Sequence, residues 1–330
     1  MMKKTFCILM VAIICCSLNA QQRTIGKVIS LAPAFDLLVD KNEKIEVLAD
    51  SFMWSEGPVW VKEGNYLLFS DVKRNTIFKW KDGEGLSEFL KPSGYTGHGK
   101  YSDEPGSNGL TINNKGELVA CEHGDRRISA MPLSAAGKRT LADNYHGKLF
   151  NSPNDVVQKS DGDYYFTDPA YGLPKDSLNQ HRTLGIYRIS KKGVVTLLVD
   201  NMTPNGLAFS PDEKILYVAQ SLPDKPTIVA FPVKADGTLD AGKVFFDAAE
   251  MLKERPGELP DGLKTDVNGN VFTTGPGGVL VISPSGKILG KIDTEQRAAN
   301  CAWGGDGSTL YITANMLLCR IKTKTKGKGF

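Results

Sequence analysis

After its first twenty residues the chain has no apolar run long enough to cross a membrane. A spanning helix needs roughly 20 consecutive apolar residues, so we expect no membrane span. Residues 1–20 have the pattern of a secretory signal peptide, because Lys3 and Lys4 precede an apolar stretch that ends with the small residue Ala20. We therefore expect an exported protein, periplasmic or extracellular, with residues 21–330 forming one domain.

The chain also has little net charge. The formal value is +3, and it falls to +1 without the two lysines of the signal peptide. Binding to nucleic acid depends on clustered Lys and Arg, and the one basic cluster, 322–328, has the pattern of a solvated terminus. We predict no nucleic-acid partner and expect a small-molecule partner instead.

Cysteine is scarce outside the signal peptide, where only Cys121, Cys301 and Cys319 remain. Each lies in or beside an apolar strand pattern, which favours a buried core role over a nucleophile or a metal ligand. Within the signal, Cys15 raises a lipoprotein anchor as an alternative, but Ile14 before it is not the small residue typical of such sites.

Several catalytic and structural signatures are missing. No serine lies in a G-x-S-x-G elbow, which argues against a serine hydrolase. No glycine-rich loop has the lysine and following helix of a nucleotide site. Only residues 247–255 carry a helical period of more than two turns, whereas short runs rich in Val, Ile, Tyr, Phe and Thr alternate with Asp-Gly, Asn-Gly and Gly-Gly turns. The fold class predicted is all-β.

A polar residue stands before a short apolar run at six points of the chain. We call these residues the anchors: Glu56, Asn108, Asn154, Asn205, Asp261 and Asn300. A turn and a second apolar run follow each of them, at intervals of 39 to 56 residues. This range brackets the period of roughly 40 to 50 residues expected for one propeller blade. The repeat predicts a six-bladed β-propeller.

Further strand patterns complete each repeat, so we expect four antiparallel strands per blade. The last repeat stops after its third strand, while the segment 44–48 precedes the first anchor without a blade of its own. We predict that this N-terminal strand closes the last blade, which would protect both terminal edges from stray pairing.

Radial repetition would bring the anchors to one central channel. Among them, Glu56 and Asp261 supply carboxylates, and Asn154 and Asn205 supply amide oxygens. Such a donor set suits a hard cation, Ca²⁺ first, with Mg²⁺, Mn²⁺ or Zn²⁺ as alternatives, although zinc more often takes His or Cys. Asn-Gly and Asp-Gly pairs are also ordinary turn sequences. Their recurrence at one point of every repeat favours the channel position.

Four segments resemble the senescence marker protein, gluconolactonase and regucalcin-like family of six-bladed propellers. They are Ser55-Glu-Gly-Pro-Val-Trp, Pro153-Asn-Asp, Pro204-Asn-Gly-Leu-Ala-Phe-Ser-Pro-Asp and Leu259-Pro-Asp-Gly-Leu. The resemblance covers essentially the whole mature sequence, and the segments 92–96, 121–127 and 166–173 are most similar to the bacterial gluconolactonase branch.

In that family a divalent metal is held by one Glu, two Asn and one Asp, and the matching positions here are Glu56, Asn154, Asn205 and Asp261. The sequence departs from the animal members at Ser152, where they have an arginine that would hold a sugar lactone.

The resemblance implies a metal-dependent lactonase acting on a sugar lactone. In this hypothesis Asp261 is both a metal ligand and the general base. We expect Asn108, His123 and Tyr171 to bind the substrate, and Asn300 either to support the site or to serve as packing. The Gly-rich segment 93–107 and the segment 168–182 would wall the channel or form mobile surface loops. A lyase or epimerase acting on a sugar-derived substrate, and a non-catalytic carbohydrate- or protein-binding propeller, are the alternatives.

Overall fold

The computed structural model describes residues 22–134, 137–177 and 183–330, and the signal peptide predicted for residues 1–20 lies outside this part. The described residues form six small sheets arranged as propeller blades. The N-terminal segment contains β1 (Thr24–Ile25), β2 (Lys27–Ser30), a 3-10 helix (Pro33–Leu37) and β3 (Ile45–Ala49). None of the helices described is long and apolar enough to cross a membrane.

The first three blades follow in chain order. Blade 1 contains β4 (Ser55–Val61), β5 (Tyr66–Asp71), β6 (Thr76–Lys81) and β7 (Gly85–Leu90). Blade 2 contains β8 (Ser107–Ile112), β9 (Glu117–Glu122), β10 (Arg127–Pro132) and β11 (Arg139–Ala142), and a two-stranded ribbon, β12 (Asn144–Tyr145) with β13 (Lys148–Leu149), follows it. Blade 3 contains β14 (Val156–Gln158), β15 (Tyr164–Asp168), β16 (Gly185–Ile189) and β17 (Val195–Asp200), with a short 3-10 helix (Lys175–Ser177) between β15 and β16.

The other three blades complete the ring. Blade 4 contains β18 (Pro204–Phe209), β19 (Ile215–Gln220), β20 (Thr227–Pro232) and β21 (Lys243–Asp247), and the helix α1 (Ala249–Glu254) follows it. Blade 5 contains β22 (Leu263–Thr265), β23 (Val271–Gly275), β24 (Gly278–Ile282) and β25 (Ile288–Asp293). Blade 6 contains β26 (Ala298–Gly304), β27 (Thr309–Ala314) and β28 (Leu317–Lys322). The helix α1 lies within the one segment whose sequence has a helical period.

The N-terminal segment closes the ring. Strand β3 pairs antiparallel with β28, with Val47 opposite Cys319, so it supplies the missing fourth strand of blade 6 as predicted. Strand β1 continues this sheet, while β2 leaves it and pairs with β25 of blade 5. The pairing of β1 and β2 with two different blades was not predicted, because these strands are only two and four residues long and follow no anchor.

The apolar core lies between neighbouring blades. Trp60 of blade 1 stacks on Tyr311 of blade 6, with ring centroids 5.3 Å apart. Because both faces of a blade pack on other blades, several strands are apolar on both faces, as in β24, whose five residues are all buried. Cys121, Cys301 and Cys319 are buried and free, which confirms their predicted core role.

The inner strands β4, β8, β14, β18, β22 and β26 contact each other in a closed ring. Where a glycine follows the anchor, the approach is so close that a side chain would have no room. At Gly57, φ is +50° and a Cβ would lie 1.9 Å from the carbonyl oxygen of Asn108. At Gly206 a Cβ would lie 2.5 Å from the carbonyl oxygen of Asp261, which accepts the Gly206 N–H at 3.2 Å. The glycines of the repeat are therefore required by packing at the hub.

Gly206→Ala should destabilise the protein, because all three atoms nearest to the new methyl group belong to the backbone of the neighbouring blade. We expect the free energy of unfolding, measured by urea denaturation, to fall by about 1–3 kcal/mol. Gly275→Ala is the matched control, since its nearest atom is the terminal Cδ1 of Leu280 at 3.3 Å. Equal stabilities for the two variants would contradict the packing role of the hub glycine.

Asp168, the last residue of β15, has a buried carboxylate. Its Oδ2 accepts hydrogen bonds from the backbone N–H and the side-chain amide of Asn151, at 2.8 and 3.0 Å. Its Oδ1 is buried without a hydrogen-bond partner in the described residues. Burial raises the pKa of Asp168 to about 7, against the lowering effect of the Asn151 and Ser152 hydrogen bonds and of the Arg126 charge.

Because the pKa of Asp168 is higher in the folded chain than in the unfolded chain, its contribution to stability is complete below about pH 4 and is lost as pH rises through 7. Asp168→Asn removes this titration. The free energy of unfolding of the variant, relative to wild type, should therefore rise by about 1–3 kcal/mol between pH 4.5 and 7.5.

Chemical denaturation across this pH range measures the difference. Asp306→Asn is the control, because hydrogen bonds from Ser308 lower the pKa of that exposed carboxylate and give no such rise. A relative stability of the Asp168 variant that is flat with pH, or falls, would count against a buried ionisable group at this position.

Candidate active site

A cavity of about 570 Å³ opens at the channel end where the inner strands begin. Its wall includes all four predicted metal ligands, Glu56 of blade 1, Asn154 of blade 3, Asn205 of blade 4 and Asp261 of blade 5. These side chains come from positions up to 205 residues apart, yet each belongs to a residue no more than 7% exposed. The structure therefore brings the predicted set to one place.

The two carboxylates of this set affect each other. Burial raises the pKa of Glu56 well above its usual value, and the nearby charge of Asp261 adds to that rise. Burial also raises the pKa of Asp261 to about 7, while the charge of Arg297 opposes the rise. Neither carboxylate forms an ion pair within 4.0 Å in the described part of the chain. The cavity therefore contains two buried carboxyl groups that no cation of the described residues contacts.

Asn205 is oriented by a short hydrogen-bond chain. Its Nδ2 donates to Ser221 Oγ at 3.1 Å, and the Ser221 hydroxyl donates in turn to the carbonyl oxygen of Pro260, directly before Asp261. With the amide nitrogen engaged, the Oδ1 of Asn205 remains available to the cavity. Blades 4 and 5 are thus tied together at two of the candidate ligands.

His123 is placed behind Asn108 and does not line the cavity. Its Nδ1 lies 3.1 Å from the carbonyl oxygen of Glu104, and its Nε2 lies 3.4 Å from Asn108 Nδ2. The carbonyl can only accept, so the network assigns the proton to Nδ1 and makes Nε2 the acceptor for the Asn108 amide. Burial lowers the pKa of His123 to about 4, which keeps the ring neutral. His123 was expected to contact the substrate directly, but in the structure it lies where it can position the side chain of Asn108.

Tyr171 lines the cavity and is 38% exposed as a whole residue. Burial and then the nearby charge of Asp261 raise the pKa of its hydroxyl group, while hydrogen bonding to Ser221 and Asn205 opposes the rise. The phenol therefore stays protonated at neutral pH and is available as a hydrogen-bond donor. Beneath its loop, Gly172 packs directly on the His123 ring, where a Cβ would approach to 2.3 Å.

Two further positions have structural roles. Ser152, which replaces the arginine of the animal relatives, is fully buried, donates to the carbonyl oxygen of Pro169 at 2.8 Å and accepts the N–H of Gly172 at 3.0 Å. Asn300, the sixth anchor, accepts the N–H of Cys301 at 2.8 Å and fills the space beside Gly262. Neither residue lines the cavity.

Both long segments singled out in the sequence contribute to the cavity wall. Asp103 and Glu104 come from the segment 93–107, and Tyr171 and Lys175 come from the described part of the segment 168–182. Asp103 joins the two segments through an ion pair of 2.9 Å with Lys175. These segments therefore form walls of the site, in agreement with the first of the two expectations for them.

The cavity residues that sequence reasoning did not name as site residues include Trp54, Lys73, Glu104 and Arg297. Trp54 and Arg297 lie one residue before the inner strands β4 and β26, and Glu104 lies three residues before β8. The position of these three residues shortly before an inner strand is the one feature of the sequence that points to them. The residue types vary from blade to blade, so no repeat pattern marks them.

The described residues contain no group of three or more His, Cys, Asp and Glu side chains that could hold a metal ion. The candidate set is compatible with this finding, because only two of its four members are carboxylates and the other two are amides. Oxygen ligation of this mixed kind is typical of Ca²⁺ sites rather than of zinc sites.

Comparison with known proteins agrees with this architecture. A gluconolactonase from Zymomonas mobilis is 38% identical over 319 residues, which are 94% of this chain and 89% of the relative. The structure of a gluconolactonase from Xanthomonas campestris is 29% identical, with a TM-score of 0.79 over 92% of this chain and 96% of that chain.

A calcium-binding protein, regucalcin from Agrobacterium tumefaciens, has a TM-score of 0.69 over 86% of this chain and 94% of its own, and at 16% identity this likeness shows the fold alone. Residues 54–316 match the SMP-30/Gluconolactonase/LRE-like region. With the matched region and the Zymomonas relative both covering most of its length, the chain belongs to the SMP-30/gluconolactonase/LRE-like family.

Proposed function

We propose that this protein is a lactonase that hydrolyses sugar lactones, and that it uses a divalent cation, Ca²⁺ first, bound by Glu56, Asn154, Asn205 and Asp261. The observation that carries the proposal is the convergence of these four side chains, from four blades, on a single cavity. The relatives named as gluconolactonases support the substrate class. A volume of about 570 Å³ has ample room for a six-membered sugar lactone.

The residues present fit a divalent cation. Two buried carboxylates, of which Asp261 adds to the raised pKa of Glu56, are costly to keep ionised together, and a doubly charged ion would offset both charges. The amide of Asn205 is turned so that its oxygen is free. Four oxygen donors would leave further coordination positions for water and substrate, since Ca²⁺ takes six to eight oxygen ligands.

When bound, the cation supplies polarisation of the lactone carbonyl and a more acidic water. Asp261 accepts a proton from the attacking water as the water oxygen bonds to the carbonyl carbon. Tyr171, which keeps its proton, donates a hydrogen bond to oxygen that gains negative charge. The ring C–O bond then breaks, Asp261 returns the proton to the ring oxygen, and the new carboxylic acid releases one proton to the solvent.

Asp261→Asn should abolish most of the activity, because it removes the group that accepts the water proton and also one negative ligand. A positioned base contributes roughly 10²- to 10⁴-fold to the rate, and we expect a loss in kcat of at least this size. Proton release from D-glucono-δ-lactone, corrected for spontaneous hydrolysis, measures the rate. Asp224→Asn, which changes an exposed turn residue, should retain the wild-type rate.

The same activity assay also tests whether the protein requires a divalent cation. Treatment of the wild-type protein with a chelator should remove activity, and added CaCl₂ should restore it and raise the melting temperature, since binding to the folded state stabilises it. Full activity after chelation would refute the metal assignment. Wild-type protein that does not exceed the spontaneous rate with any added divalent ion would refute the lactonase proposal.

His123 should act by positioning Asn108 and the loop that carries Glu104. His123→Ala removes both hydrogen bonds, so we expect kcat/KM to fall about tenfold or more, whereas His123→Gln, which can still accept from Asn108, should recover part of the loss. Because the pKa of His123 is about 4, the ring is neutral above pH 5 and the factor should be the same at pH 5.5 and pH 8.

Rates of the two His123 variants at both pH values provide the measurement. A loss that appears only at the higher pH would indicate that His123 itself takes up a proton in the reaction. Equal losses for the alanine and glutamine variants would show that the bond to Asn108 has no part in activity.

A further inference from the structure

One side of the cavity carries charged groups that neither belong to the proposed metal-ligand set nor transfer a proton in the proposed mechanism. Lys73, Glu104 and Arg297 come from blades 1, 2 and 6, next to each other in the ring, and all three line the cavity. The metal-ligand set comes from blades 1, 3, 4 and 5. The wall formed by blades 6, 1 and 2 is therefore a second functional surface facing the same space.

The backbone beneath these groups is fixed. Trp54 and its neighbour Met53 donate their N–H groups to the fully buried carboxylate of Asp71, at 3.2 and 2.9 Å. The carbonyl oxygen of Glu104 is held by His123 at 3.1 Å, and the N–H of Glu104 donates to Ser102 Oγ at 3.2 Å. The backbone at Glu104 and at Trp54, whose ring lies near the two cations, is therefore held by hydrogen bonds.

The charged ends themselves have no partner of opposite charge in contact. The guanidinium carbon of Arg297 lies 5.0 Å from the centroid of the Trp54 ring, and the Lys73 ammonium lies 5.8 Å from it. Neither cation has an ion pair within 4.0 Å in the described residues, and the Glu104 carboxylate has no ion pair or side-chain hydrogen bond there. Burial raises the pKa of Glu104, and the charges of Lys73 and Arg297 oppose that rise.

We propose that Lys73, Glu104 and Arg297 form a polyol-recognition wall, which binds the ring hydroxyl groups of the lactone and so selects sugar lactones over simple aliphatic lactones. This inference rests on the proposed lactonase function. A carboxylate accepts hydrogen bonds from two hydroxyl groups, and the guanidinium and ammonium groups donate to hydroxyl oxygens. Ser152 is buried under the Pro169 loop and Lys175 is paired with Asp103, so Lys73 and Arg297 are the cations of this cavity wall that have no ion pair in the described residues.

A site that pairs its polar groups with substrate hydroxyls discriminates strongly against a substrate that lacks them, because the polar groups are then left unpaired. Glu104→Gln should therefore lower kcat/KM for D-glucono-δ-lactone by about 10- to 100-fold, the effect of losing charge-assisted hydrogen bonds. For δ-valerolactone, which has the same ester ring without hydroxyls, the change should stay within about threefold, because Glu104 has no partner on that substrate.

Glu88→Gln is the matched control, because it makes the same chemical change on the exposed outer strand β7. Equal losses on both lactones would overturn the proposal, since Glu104 would then act on the ester common to both. An unchanged preference in the Glu104 variant would also overturn it. Wild-type protein that hydrolyses neither lactone above the spontaneous rate would instead refute the lactonase function itself.

A second measurement does not depend on turnover of the poorer substrate. D-glucitol carries the hydroxyl groups and no ester, so it should inhibit gluconolactone hydrolysis competitively, with an inhibition constant about tenfold higher in Glu104→Gln. Retained inhibition in the variant, or no inhibition of the wild-type protein, would contradict hydroxyl recognition by this wall. Unchanged thermal unfolding of the variant confirms that the comparison is made on folded protein.

Discussion

The close approach of six inner strands around one axis is the constraint on which the rest of the structure depends. Because the backbone of each anchor lies against the residue that follows the anchor of the previous blade, Gly57 and Gly206 have no room for a Cβ. The same approach allows a backbone hydrogen bond between blades, as from Gly109 N–H to the carbonyl oxygen of Asn154 at 2.7 Å. All the anchor side chains except that of Asn300 then line the cavity.

Burial at the hub gives the site its electrostatic character. The carboxylates of Glu56 and Asp261 are removed from water without a cation in contact. The free energy of their desolvation destabilises the folded state unless a bound ion offsets it. The surroundings do little to relieve it, since His123 is neutral and the Arg297 charge acts on Asp261 from a distance. The same two buried carboxylates would thus provide affinity for a divalent cation and destabilise the fold without the cation. Replacing either carboxylate would reduce both effects.

The sequence predicted the parts of the molecule that repeat. Anchor spacing was enough for the six blades, for closure by β3 and for the set of side chains that meet in the cavity. It was not enough for β2, which pairs with blade 5 through four half-exposed residues, or for His123, whose position behind Asn108 depends on a loop contact with Glu104. Trp54 and Arg297 also escaped prediction, because a cation over an aromatic ring joins residues 243 positions apart with no pattern in either segment.

This difference follows from the separate roles of the hub and of the cavity walls. The hub tolerates little change, since a methyl group at Gly206 would meet the backbone of the next blade, and the anchors that line the channel are held by that same packing. The walls are built from residues just before the inner strands and from the loops joined by Asp103 and Lys175, where side chains vary without disturbing a blade. In the function that we propose, the metal ligands and the general base therefore belong to the repeat, while the residues that choose among lactones belong to the segments between repeats. Exchange of a wall residue such as Glu104 would change the substrate and leave the propeller intact.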